Sequence, residues 1–223
     1  MDTSLRRLSM QRDGYFTEPP VIHSYQDLVE FIQRMNSDWI AATRRLSPGI
    51  LLGMLRQSET ELVTLLETLN PDESAMFSVA WAGEEVSTNG FDIAREYTEK
   101  WHHQMQIRLS VGQTGCLYLP RYFQPIIDCF IKAIPVAYQK LEQAECNLII
   151  EITGECGGLW YLQKHEGEAA FVEAFETENK VIISQEEFWQ LVTNSKPKQD
   201  VIYTSVGDTV LAELFLKTVA VMS

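Results

Sequence analysis

The hydrophobic period changes once along this chain, and the change limits the folds open to it. Up to about residue 141 the apolar residues recur at helical spacing, whereas from Leu148 onward they alternate. A period of 3.6 gathers apolar side chains on one face of a helix, and a period of two does so on one face of a strand. A run of helices followed by a smaller mixed part is therefore expected, with the changeover at Glu142–Asn147.

Asp2–Gly14 reads as a helix closed by Gly14, with Leu5 and Leu8 on its apolar side. Tyr15–Ile22, which contains Pro19-Pro20, is a loop. Ser24 is placed to cap a helix from Tyr25 to about Leu46, which should bury Leu28, Phe31, Ile32, Met35, Trp39 and Ala42. Ser47-Pro48 opens the next, because proline is tolerated where the first N–H has no partner anyway; Asn70-Pro71-Asp72 closes it after Leu69. Phe77–Thr88 fits a structured loop with Trp81 as a packing residue. Asn89 then caps a helix to Leu109 with Gly112 as its stop, and Pro120 opens another to about Leu141 with a kink at Pro135. Short connections between amphipathic helices predict an antiparallel bundle over residues 1–143.

The remainder, residues 144–223, should be a small α+β layer. Leu148–Thr153 and Leu159–Gln163 form a hairpin around Gly154, Gly157 and Gly158, and strands continue at Ala169–Glu176 and Lys180–Ile183. Ser184 with Glu187 makes a capping box for a helix to Asn194; a strand at Asp200–Val206 and a helix at Asp208–Val221 complete the chain.

Composition excludes several functions. With 18 basic and 31 acidic residues the formal charge is −13, which repels nucleic-acid phosphates and anionic membranes. Cys116, Cys129, Cys146 and Cys156 contain no C-x-x-C pair and read as reduced core thiols. No leader pattern opens the chain and no stretch nears the roughly 18 apolar residues of a membrane span, so a cytoplasmic protein is expected. P-loop, G-x-G-x-x-G and G-x-S-x-G patterns are all lacking.

Ligand chemistry concentrates on the 89–109 helix. Glu99 and His103 stand four residues apart, so at about 100° per residue they share one face, one turn apart. A carboxylate and an imidazole so placed can hold one cation, although a transition metal normally takes a third protein ligand. Ala94, Tyr97, Trp101 and Met105 form the apolar stripe on roughly the opposite side, so on periodicity alone the pair is solvated. His102 projects about 100° from His103 and should not join the same ion; His23 and His165 are the other histidines.

Three segments carry a resemblance: Val79-Ala80-Trp81-Ala82-Gly83-Glu84, the stretch FDIAREYTEKWHHQMQIR from Phe91 to Arg108, and the tail Ile149–Ser223. Together they resemble the DinB-like helical bundle superfamily, within it the mycothiol-dependent maleylpyruvate isomerase type, whose C-terminal domain is sterol-carrier-like. The resemblance implies a divalent metal, zinc or nickel, with Glu99 and His103 as two of its three ligands. The third is a histidine on an earlier helix, and alignment through Asp2-Thr3-Ser4-Leu5 places it before Met1, outside this chain. It also implies a metal-dependent isomerase or transferase that uses a low-molecular-weight thiol on a small electrophile, with Glu96 as an acceptor able to orient His103. The alternative is a non-catalytic binding or interaction protein that has lost the complete metal site, with a second copy of the chain, forming a homodimer, among its candidate partners.

Overall fold

The computed structural model describes residues 1–16 and 21–220. They fall into two compact units, Met1–Met76 and Phe77–Met222. The expected loop at Pro19-Pro20 and the last residue of the expected 208–221 helix lie outside the described residues.

In the first unit, helix α1 (Asp2–Arg7) runs on into a wider π-helical turn, Leu8–Arg12. Helix α2 (Tyr25–Thr43) begins with a complete capping box: Ser24 Oγ accepts from Asp27 N–H, and the Asp27 carboxylate accepts the N–H groups of Ser24 and His23. Helix α3 (Pro48–Glu67) has Pro48 in its first turn, and Ser47 Oγ accepts from Ile50 N–H at 3.4 Å. Polar contacts lock α1 and its π turn onto α3, with Ser4 Oγ donating to Glu59 at 2.7 Å and Arg12 to Glu61 at 2.6 Å. Leu8, Ser58 and Leu62 are buried there. Leu28, Phe31, Ile32, Met35 and Trp39 of α2 are only half-buried and Ala42 is exposed, so the predicted burial of that face is met in part.

The second unit starts with a loop in which Trp81 packs edge-on to Phe91 and Phe130. Helix α4 (Asn89–Ser110) is capped by Thr88, whose Oγ1 accepts from Phe91 N–H at 3.2 Å; Asn89, expected to be the cap, is its first helical residue. Gly112 ends it at φ +68, and the N–H groups of Gly112 and Gln113 close on the carbonyls of Leu109 and Arg108. The single kinked helix expected to follow is two, α5 (Pro120–Phe130) and α6 (Ala133–Gln139). Pro135 explains the break: its ring would clash with the carbonyl of Ile131 and it has no N–H, so the chain restarts at Ala133, where proline falls in a first turn.

Five strands form a mixed sheet in the order β3-β2-β1-β4-β5: β1 (Cys146–Thr153), β2 (Gly158–His165), β3 (Glu168–Val172), β4 (Lys180–Ser184) and β5 (Tyr203–Val206). Only β1 and β4 run parallel. Helix α7 (Gln185–Val192) crosses between β4 and β5, and α8 (Thr209–Phe215) follows β5. Strand β3 stops at Val172, short of the predicted Glu176, and α8 stops at Phe215. Ser184 caps α7 as predicted, but Glu187 does not complete the box: its carboxylate takes Lys196 at 2.6 Å and the N–H of Ile202 at 3.0 Å.

Leu148, Ile150 and Ile152 of β1 alternate into one continuous core with Val181, Ile183, Phe188, Trp189, Ile127 and Trp101. Helices α4, α5 and α6 thus share their hydrophobic interior with the sheet. Helices together with a mixed sheet are the architecture the two hydrophobic periods called for.

Candidate functional site

The first turns of α4 carry a buried charged network. Asp92 is fully buried and Glu96 nearly so, and Arg95 reaches both, at 2.8 Å and 3.4 Å. Burial opposes the charge on Arg95, yet Asp92 and Glu96 outweigh it and hold the guanidinium above its ordinary pKa. Lys100 adds a second cation to Glu96 at 3.2 Å. Such a network is costly to break from one side, because the partner left behind is a buried charge. Glu96 is therefore occupied, and it does not orient His103 as the resemblance implied. Arg95, the nearest arginine to that face, is committed to the same carboxylates.

One turn further on, Glu99 and His103 do come together. Glu99 Oε2 lies 3.9 Å from His103 Nε2, with the two side chains 32% and 69% exposed. Burial pushes the Glu99 carboxyl above its usual range, against the pull of Arg95 and His103. The Nδ1 side of His103 meets Gln106 Oε1 at 3.0 Å. An amide oxygen only accepts, so Nδ1 is the donor in this contact and Nε2 is the nitrogen left facing Glu99. Gln106 thus does for His103 what was expected of Glu96. It lies three residues on, the other helical spacing that puts side chains side by side.

A carboxylate and an imidazole nitrogen facing each other suit a positive charge between them. A proton on His103 makes them an ion pair; a divalent cation makes them ligands. Tetrahedral bonds of roughly 2.0–2.1 Å place neighbouring donors about 3.3 Å apart, within a small rotation of the observed separation. The pair fits two corners of a coordination shell. Among the described residues no group of three His, Cys, Asp or Glu side chains is placed to hold one ion.

His102 serves a different purpose. It is 6% exposed and its Nε2 lies 2.9 Å from Ser195 Oγ, which in turn lies 2.9 Å from Thr193 Oγ1. Burial, with a smaller contribution from His103, lowers its pKa to about 4, so the ring is neutral. This serine–histidine contact joins residues 93 apart in sequence and carried no local signal. The N–H groups of Ser195 and Lys196 both close on the Gln190 carbonyl at the end of α7, so neither serves as an oxyanion donor for that hydroxyl. Its evident role is to fasten the turn after α7 to α4.

The cysteines are free thiols, with Cys129 and Cys156 buried, Cys146 half-buried and Cys116 exposed where a core position was expected. Burial pushes Cys129 up to about 12, so it stays protonated. His165, the last residue of β2, lies 3.3 Å from Glu145 in an exposed cluster.

Comparison with known proteins finds no family, no curated relative and no solved structure that matches the chain. No helix among the described residues is long and apolar enough to cross a membrane.

Proposed function

We propose that the chain is a divalent-metal-dependent isomerase or transferase of the DinB-like, maleylpyruvate-isomerase type, acting in the cytoplasm with a low-molecular-weight thiol on a small electrophile. The observation that carries this reading is the Glu99–His103 pair with its ring held by Gln106. Glu99 and His103 bind the ion, and Gln106 fixes the tautomer that leaves Nε2 free to do so. A zinc or nickel ion there supplies Lewis acidity, which lowers the pKa of a coordinated thiol toward neutral pH. Burial raises the thiol pKa of Cys129, Cys146 and Cys156, so these three are poor substitutes for the external thiol.

Calorimetric titration of chelator-stripped protein with Zn2+ and Ni2+ tests this without reference to turnover. About one ion per chain is expected. Glu99→Gln and His103→Ala should each weaken binding by tenfold or more, and Gln106→Leu by about tenfold, the usual range for a group that orients a ligand. No saturable binding, or binding that survives His103→Ala unchanged, overturns it.

A second reading, a non-catalytic binding protein, is favoured by the lack of a three-ligand group among the described residues. A flat metal titration would select it, and light scattering would then show whether its partner is a second copy.

A further inference from the structure

We infer that the groove at the α2–α3 corner is a binding site for a long-chain carboxylate, independent of the Glu99–His103 pair. The groove has a volume of about 390 Å³ and is walled by Trp39, Ile40, Leu46, Leu52 and Leu55, with Met1 and Arg44 also lining it. That size suits a small amphiphile rather than a macromolecule. Ile40, Leu52 and Leu55 are large apolar side chains left exposed, although α2 and α3 bury others nearby. Of the two polar side chains lining it, Thr43 is already spent, its hydroxyl donating to the Trp39 carbonyl at 2.8 Å. Arg44 is therefore the group that chooses the ligand's head.

Charge sets the sign of that head. From Trp39 to Ser58 the sequence holds Arg44, Arg45 and Arg56 and no carboxylate, in a chain whose net charge is −13. None of the three arginines makes an ion pair among the described residues. A planar guanidinium pairs bidentately with a carboxylate, and the hydrocarbon tail covers the apolar walls. Other occupants fit less well. A second copy seated on the same corner would set three arginines against three, and an anionic bilayer meets the repulsion of the whole chain, which a single-headed molecule hardly feels.

Titration of the full chain with dodecanoate below its micellar concentration tests the site. One saturable molecule per chain is expected, with Arg44→Gln weakening it about tenfold, Leu52→Asp abolishing it, and dodecanol binding at least tenfold more weakly than dodecanoate. Both substitutions are at exposed positions, and circular dichroism confirms that the variants fold. No saturable binding, or equal binding by both variants, overturns the inference. So does sedimentation with phosphatidylglycerol vesicles without uptake of dodecanoate, or a dimer that Leu52→Asp dissociates and dodecanoate does not.

Discussion

A buried neutral imidazole makes stability depend on pH in a direction that can be worked out. His102 titrates near 4 in the folded chain and near 6.5 when unfolded. Above 6.5 neither state binds the proton; between 6.5 and 4 the unfolded state binds it first, so folding weakens as the pH falls through that window. The melting temperature should drop from pH 7 to pH 4.5, and His102→Gln, which keeps a donor for Ser195, should drop less over the same interval. Equal slopes would show that burial of this ring does not matter. Residue by residue, spacing along one helix was the readable part: it brought Glu99 to His103, while His102, whose ring stacks on that of His103 at 5.6 Å between centroids, turns its Nε2 to Ser195. The partners of His102 and Glu187 were unreadable, because each depends on a chain reversal that leaves no trace in local periodicity.

Among the elements, α6 shows how one strand side chain can finish a helix. The Lys164 ammonium of β2, only 4% exposed, donates to the Gln139 carbonyl at 3.2 Å and also to that of Leu141. Gln139 ends α6 and Leu141 lies just beyond it, so the ammonium sits at the helix end that favours a cation and takes a carbonyl that the helix leaves without an internal partner. Lys164→Met should keep the packing of the stem but orphan both oxygens, lowering stability by about 1–3 kcal/mol in a denaturant titration. An unchanged midpoint would mean that water replaces the ammonium freely. Strands β1, β2 and β4 and helix α7 could be read from the sequence, because alternation and capping are local. The division of α5 from α6 was missed by a few residues. Pro135 announces a disturbance, but proline belongs in a first turn, and the break therefore lies upstream of it.

Across the whole molecule, burial is uneven. Helix α2 shows no fully buried side chain among those described, whereas α4 buries Asn89, Asp92, Glu96, Thr98, Trp101, His102 and Met105. Amide hydrogens of α2 should exchange at least tenfold faster than those of the middle of α4 and of β1, since local opening is easiest where little apolar area must be exposed. Uniform protection would contradict this. The two hydrophobic periods foretold both kinds of secondary structure. They did not foretell that α4, α5 and α6 would share one interior with the sheet, because periodicity marks which face is apolar and not what will lie against it.

Strand β1, hydrogen-bonded on both flanks, leaves a mark on how such a chain can vary in length. Adding one amino acid within Cys146–Thr153 would turn Glu151 inward and Ile150 outward, and would upset two ladders of opposite sense together. Insertions and deletions that survive in descendants of this gene should therefore gather between Val172 and Glu178, where the backbone leaves the sheet, short of Asn179, whose carbonyl takes the Ile149 N–H.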